Sequence, residues 1–542
     1  MRIFILQITF TLFLSFPLFS SDFPNLPSRQ DQLEQLEERV FDVLVIGGGA
    51  TGVGVALEAA TRGLSVLLVE RLDFSSQTSS KSTKLAHGGV RYLEKAVLNL
   101  DRKQYKLVKD ALKERGTLFK MAPFTVKPLQ IVTPIYKIFQ LPYMWIGLKI
   151  YDFISSSSKI APSSYVSSKK IREIFPSIKT KGLVGGVTYY DGQFNDTRLN
   201  MMALLTAMKE GAYALNYMAL TSFQKKEGKI IGAIIQDQLK DKKYSIQCKA
   251  VINATGPFSD LIRQMDDSSI DSLISHSSGT HILLDKKLTS KGLGILIPKT
   301  RDGRVLFMLP WEGYTLVGTT DTHTTLTDDP KPTQNELDYL LSYCEEYFET
   351  SLSQKDIKAS WTGLRALVRD PNVENTSKLC RDHLIEVSES GLVSIMGGKW
   401  TTFRKMAEDT VDRAALEGLV KAEKSRTENI VLLGGEGYTD NTCFELQQQT
   451  GLDLEICRHL VGSYGTLAFE VAAAGSTARI QEEYPYIQAE VIWAIEKEYA
   501  QNLSDILNRR IRLAFLDTQK TIDSVAQVEQ LMQIPIEEVG GF

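Results

Sequence analysis

The chain has 542 residues, 43% of them hydrophobic and 23% charged, which is enough for two or more domains with substantial cores. Its formal net charge of −3 argues against a general nucleic-acid binder. The five cysteines (Cys248, Cys344, Cys380, Cys443 and Cys457) are scattered with no C-x-x-C pair, so disulfide staples and a zinc site are disfavoured and a reducing compartment fits.

Residues 3–19 are apolar apart from Gln7, Thr9, Thr11 and Ser15, and Arg2 precedes them. Three readings stay open: a secretory signal with a mediocre cleavage site at Leu18 and Ser20, a short membrane anchor, or a start-site artefact upstream of the domain. Residues 21–39 read as a polar linker leading into a charged helical start. Residues 41–70 read as strand, glycine turn, helix and strand. Gly47, Gly49 and Gly52 have the G-x-G-x-x-G spacing, in which the first glycine makes the turn, the second admits a pyrophosphate and the third lets helix meet strand. The helix opened by Ala50 and Thr51 offers unpaired N–H groups to phosphate. Glu70 stands at the tip of the second strand, 18 residues past the third glycine (70 − 52), where a ribose hydroxyl needs an acceptor. Strands, helix and acid in register predict a dinucleotide site.

Residues 75–83 are crowded with serine and threonine, hydroxyls able to wrap a long cofactor. His87, Gly88 and Gly89 predict a turn where backbone comes close to something, and Arg91 and Tyr92 follow. Residues 101–127 are mostly helical in pattern and basic. Residues 129–153 interleave Tyr136, Phe139, Tyr143, Trp145, Tyr151 and Phe153 with Lys137 and Lys149. Pro134 and Pro142 rule out one continuous spanning helix, so the segment reads either as a face dipping into lipid headgroups or as a core helix pair with snorkelling lysines. A helix over 197–211 and antiparallel strands over 220–251 come next. Ala254, Thr255 and Gly256 close a second strand with a glycine turn. His281 heads a short apolar strand. Residues 305–310 and 315–320 pair as a hairpin ending at Asp321. Arg365 sits in an otherwise apolar run and needs an anionic partner. After Arg381 and Asp382, residues 396–404 give strand, glycine turn (Gly397, Gly398) and helix, with Lys399 at the helix start where a cation opposes the dipole. Residues 425–437 read as a linker. The remainder is helical in pattern, with Arg509, Arg510 and Arg512 expected as structural ion pairs.

The motifs VIGGGATG, DFSSQTSSKSTKLAHGGVRYLE, INATGPFSD, WTGLRALV, GGKWTTFRKMAED and RRIRLAFLD together resemble the FAD-dependent glycerol-3-phosphate dehydrogenases, from about residue 41 to about 519. The resemblance implies an α/β fold: a doubly wound, Rossmann-like FAD-binding domain with an interleaved, amino-acid-oxidase-like mixed-sheet substrate domain over residues 40–424. A helical C-terminal domain over 425–542 follows, and residues 1–39 stand apart as hydrophobic segment and linker. It implies oxidation of glycerol 3-phosphate to dihydroxyacetone phosphate, with electrons passed to a membrane quinone. Dioxygen as acceptor, or a non-catalytic flavin protein, are the alternatives. It implies FAD contacts at Gly47, Gly49, Ala50, Thr51, Gly52, Glu70, Arg71, Ser79, Ser80, Ser82, Lys84, His87, Gly88, Gly89, Ala254, Thr255, Gly256, Gly397, Gly398, Lys399, Thr401 and Thr402. Arg91, Tyr92, Arg365, Arg381 and Lys399 would bind substrate, and His281, Lys399 and Arg365 would act in catalysis, with His281 or Lys399 as base. No metal is expected. The location implied is a membrane surface, at the cytoplasmic face of a bacterial inner membrane or alternatively the mitochondrial inner membrane, with a homodimer as the candidate assembly.

Overall fold

The computed structural model describes residues 23–89, 93, 101–155, 158, 160–285, 288–289, 292–369 and 382–533. Its first layer is a sheet with a parallel centre. Strands β1 (Val40–Ile46), β2 (Val66–Val69), β3 (Tyr213–Leu215), β4 (Lys242–Asn253) and β5 (Leu392–Gly397) lie in the spatial order β5-β4-β1-β2-β3. Successive residues of the central strands serve opposite faces. Val43, Val45, Val66 and Leu68 pack with the helices, whereas Leu44, Ile46, Leu67 and Val69 pack under an antiparallel meander, Met218–Lys226 and Lys229–Asp237. Burial of both faces is why these strands read as continuous apolar runs.

On the helical face, α1 (Ala50–Thr61) lies against α2 (Asp196–Lys209) and α3 (Phe403–Leu416). The approach of α1 to α3 needs a small residue, since a Cβ at Gly54 would stand 2.9 Å from the Phe403 ring. The second layer is a ten-stranded mixed sheet. In it Ile274–Leu284 and Ile357–Val368 run antiparallel, with Ser277 opposite Arg365 and His281 opposite Trp361. His281 therefore sits within a long central strand rather than at the head of a short one.

The C-terminal part is helical, comprising Thr442–Thr450, Leu454–Tyr464, Ala468–Ala473, Gln488–Lys497 and Thr518–Met532. Residues 425–437, expected as a linker, are instead docked. Arg426 donates to the Thr61 carbonyl at 2.7 Å, the Thr427 hydroxyl donates to Glu58 at 2.5 Å, and Leu432 and Leu433 are buried. One hydrophobic cluster joins Leu199, Met202 and Leu205 of α2 to Leu460, Tyr464 and Trp493 of the C-terminal helices. Buried ion pairs fix the same junction. Arg198 grips Glu498 with two bonds of 2.8 Å. Arg509 and Arg510 converge on Asp73, the pairing role expected of them. Burial alone would raise the Asp73 carboxyl, but the two guanidiniums outweigh it and hold it at about 2.

The segment 127–155 resolves into a strand, Lys127–Ile135, and a helix, Gln140–Ser155. The helix and its approach hold a row of exposed large side chains: Ile138, Phe139 (71%), Tyr143, Trp145, Ile146 and Phe153 (81%). No helix among the described residues is long and apolar enough to cross a membrane.

Candidate active site

The two glycine turns at the ends of β1 and β4 are pressed together. Gly47 has φ +111°, and a Cβ there would lie 2.7 Å from the Ala254 carbonyl oxygen. A Cβ on Gly52 would lie 1.9 Å from the Gly47 carbonyl oxygen, so any side chain at that position drives α1 off the turn. At the helix N-terminus the Ala50 N–H donates to Ser79 Oγ at 2.9 Å. Glu70 accepts from the Gly48 N–H at 2.7 Å and from the Leu72 N–H at 2.9 Å. Burial pushes its carboxyl up, opposed by those two donors. Arg71 stacks on Phe258, 4.3 Å from the ring centre, and pairs with Asp328.

From these turns a cavity of about 420 Å³ runs between the two layers. Of the residues expected to meet a cofactor, Gly47, Gly49, Ala50, Thr51, Glu70, Arg71, Ser79, Ser82, His87, Ala254, Thr255, Gly256, Gly397, Gly398, Lys399 and Thr401 line it, as do His281 and Arg365. Others stand behind the wall. Gly52 is packing, and the Ser80 hydroxyl donates to the Gln77 carbonyl at 3.0 Å. Gly88 makes room for Leu112 and Tyr151, and its N–H donates to the Tyr151 hydroxyl at 2.8 Å. Gly89 has φ +80° and shapes the same turn, while the Thr402 hydroxyl donates to the Lys399 carbonyl at 3.1 Å.

Lys84 departs most from its expected place. Its ammonium is wholly buried, donating to Asp196 at 2.5 Å and to the Ser80 carbonyl at 2.7 Å. Burial, then the neighbouring Arg512, bring its pKa down to about 7 against the pull of Asp196. It faces the protein interior because the Asp196 carboxylate, at the start of α2, draws it there.

At the far end of the cavity the wall is made of side chains. His281 is 2% exposed, its Nε2 lies 2.9 Å from Thr83 Oγ1, and its ring stacks on Trp361 at 5.5 Å with planes 17° apart. Burial first, then Lys84 and Arg365, push its pKa well below the ordinary imidazole value, so the ring is neutral at pH 7. The Arg365 guanidinium is aimed by three bonds of 2.9 Å, to the Ser278 carbonyl, Thr319 Oγ1 and the Thr320 carbonyl, with Asp321 at 3.5 Å. Gly397 and Gly398 both have φ +78° and bring Lys399 to the wall. Thr401 Oγ1 accepts from the His87 N–H at 3.1 Å and ties this turn, at the end of β5, to the segment that follows the short second-sheet strand Leu85–Ala86. Arg91, Tyr92 and Arg381 lie outside the described residues. Lining residues not singled out in the sequence include Thr83, Lys81, Phe307 and Trp400, whose indole N–H donates to the Ser79 carbonyl at 2.9 Å. Trp400 stands in the GGKWTT motif and Thr83 in the hydroxyl-rich loop, so both had a local signal. Phe307 had none.

The donor set fits FAD. Glycines keep Cβ atoms out of the cradle at both turns, a helix N-terminus points into it, and an acid stands at the strand tip. Comparison with known proteins agrees. The FAD dependent oxidoreductase family matches residues 42–404, and the C-terminal domain of alpha-glycerophosphate oxidase matches residues 425–537. Mitochondrial glycerol-3-phosphate dehydrogenase of Homo sapiens is 44% identical over 524 residues, covering 93% of this chain and 72% of the relative. The chain belongs to the FAD-dependent glycerol-3-phosphate dehydrogenases.

A probable mitochondrial member of this family from Dictyostelium discoideum is 43% identical, covering 93% of this chain and 82% of its own length. Among solved structures, the glycerol-3-phosphate dehydrogenase of Bacillus halodurans complexed with FAD superposes with a TM-score of 0.76 at 29% identity, over 94% of both chains. L-alpha-glycerophosphate oxidase from Mycoplasma pneumoniae shares the fold with a TM-score of 0.55 at 16% identity, over 72% of this chain and 98% of its own. As a member of the dehydrogenase family, this enzyme carries FAD and oxidises glycerol 3-phosphate to dihydroxyacetone phosphate.

Proposed function

We propose that His281 is the base of this oxidation, that Arg365 and Lys399 receive the substrate's charge, and that the electrons leave for a membrane quinone while the enzyme rests on a lipid surface. The observation that carries the assignment of the base is a buried imidazole on the cavity wall, fixed by Thr83 and Trp361. Bound FAD, held by the glycine turns, would supply the acceptor for the hydride that leaves C2. His281 takes the C2 hydroxyl proton at Nε2, the nitrogen that faces Thr83. A base must be unprotonated to act, and the depressed pKa keeps it so into mild acid. Arg365 presents its charge in a fixed direction, which suits a phosphate dianion. Arg91, Arg381 and Tyr92 are proposed to complete that grip, on the family motif alone.

The lipid surface is supported by the exposed row from Ile138 to Phe153. Aromatic and aliphatic side chains beside Lys149, whose ammonium lies 5.4 Å from the Trp145 ring centre, make a face suited to headgroups. The membrane would be the bacterial inner membrane at its cytoplasmic face or the mitochondrial inner membrane, and cell fractionation distinguishes them. Self-association to a homodimer is the companion proposal, read by light scattering in detergent.

The test is an anaerobic titration with glycerol 3-phosphate followed by a choice of acceptor. Substrate bleaches the flavin, and a soluble quinone restores its colour faster than air does. Stoichiometric peroxide with no quinone reduction would replace the quinone reading with an oxidase.

A further inference from the structure

The C-terminal domain reaches the His281 ring. After the arginine-rich stretch Asp505–Arg510, the turn Leu513–Phe515 lays Phe515 under the second sheet, with its ring 4.8 Å from that of Trp361. Trp361 thus touches both Phe515, tilted 47° to it, and His281, stacked at 17°, and Trp311 meets it edge-on at 6.1 Å. All three rings of the stack are buried: Phe515 is 8%, Trp361 5% and His281 2% exposed. Behind Phe515, the Arg512 guanidinium lies 3.8 Å from its ring centre and donates to the Ser80 carbonyl at 3.0 Å, the same oxygen that Lys84 takes at 2.7 Å. Asp196 faces both cations, at 2.5 Å from Lys84 and 3.4 Å from Arg512. Arg512 has φ +65°, a left-handed conformation that an arginine keeps only where its surroundings over-determine it, and such positions gather at working sites.

We propose that the C-terminal domain is a working part of the active site: Phe515, braced by Arg512, presses the Trp361 indole onto the His281 imidazole and so positions the ring that takes the substrate's proton. The inference rests on the assignment of His281 as base. Phe515 touches neither substrate nor cofactor and is a positioning residue. The stack gives it two effects. It sets the angle of the imidazole, because an indole packed against Phe515 and Trp311 is limited in how far it can tilt and the imidazole stacks on it. It also keeps water from the back of the imidazole, leaving Lys84 and Arg365 as the charged groups nearest it, with Asp196 and Arg512 behind the first, Asp321 beside the second, and Lys399 on the cavity wall.

The test uses the full-length, FAD-loaded enzyme bearing Phe515→Ala, in stopped-flow flavin reduction by saturating glycerol 3-phosphate across pH. Flavin content and substrate affinity should stay at wild-type values. The reduction rate should fall roughly ten- to a hundredfold, the scale on which small misplacements of a reacting group act. The pH midpoint of reduction should rise towards that of an ordinary imidazole as water gains the back of the ring. A wild-type rate and midpoint would overturn the proposal, as would a rate loss that merely tracks lost flavin. If Phe515→Ala fails to fold, Phe515→Leu keeps the core filled without a flat face for the indole. It should move the midpoint the same way by less, and an unmoved midpoint would overturn the proposal there. His281→Asn separates the two layers of argument: wild-type reduction in that variant removes the base itself, whereas a slow His281→Asn with a normal Phe515→Ala removes only the role of the C-terminal domain.

Discussion

The two ends of the cavity are built from different material. At the glycine end the wall is main chain, with turns pressed to 2.7 Å at Gly47 and 1.9 Å at Gly52 wherever a Cβ would intrude. At the His281 end it is side chains drawn from strands far apart in sequence, each aimed by a neighbour: Thr83 for His281, and Ser278, Thr319 and Thr320 for Arg365. A wall of backbone tolerates no added atom but asks little of residue chemistry. A wall of side chains tolerates changes of size and fails when a charge or a proton acceptor is lost. The first end should therefore break in binding of the cofactor, the second in rate and substrate affinity.

The largest expected effect tests the first half of that contrast. Gly52→Val should abolish FAD retention, giving a colourless protein by absorbance ratio, because its Cβ has no room against Gly47. A yellow Gly52→Val protein would sink the backbone-cradle account. Next, His281→Asn should keep FAD and slow flavin reduction by about 10²–10⁴, the usual contribution of a general base. In the wild type the acid limb of that rate should lie well below the ordinary imidazole range. A depressed pKa keeps the base unprotonated as pH falls, so activity is held below the pH at which an ordinary imidazole would have taken its proton and is lost only in stronger acid. A limb centred near the ordinary value of about 6.5 would show that the ring is not buried as described.

A smaller effect is expected from Arg365→Ala. Loss of its hydrogen bonds to a dianion costs about 1.5–3 kcal/mol, so the dissociation constant for glycerol 3-phosphate should rise roughly 10- to 150-fold in the anaerobic titration while flavin stays bound. An apoprotein would move Arg365 to the other end of the comparison. Smallest for the isolated enzyme is Phe153→Asp, on the exposed row. Its melting temperature should barely move, as for surface changes in general. Flotation with vesicles should weaken, since burying a phenylalanine is worth about 1.5–3 kcal/mol. Undiminished flotation would take the membrane face elsewhere.

The same division decides which features are legible in the amino-acid sequence. Glycine spacing, the Glu70 tip and the Gly397–Gly398 turn are local, because a backbone cradle is written in consecutive residues, and these turns and the acid line the cavity. The parallel strands are legible for the same reason. Lys84 is not, since the loop motif surrounding it points to the cofactor while its partner Asp196 is 112 positions away. The stack of Phe515, Trp361 and His281 joins three elements that no spacing connects. Residues 425–437 look like a linker because their composition is polar and glycine-rich. What docks them, Glu58 and the Thr61 carbonyl on α1, lies 365 to 369 positions earlier.

The continuous cluster that runs from α2 into the C-terminal helices bears on how the molecule comes apart. A hinge or seam between two separately filled interiors would let heat detach one and spare the other. Here the same apolar atoms belong to both, so calorimetry should record a single endotherm, and the flavin should be released at the temperature where the last helices are lost.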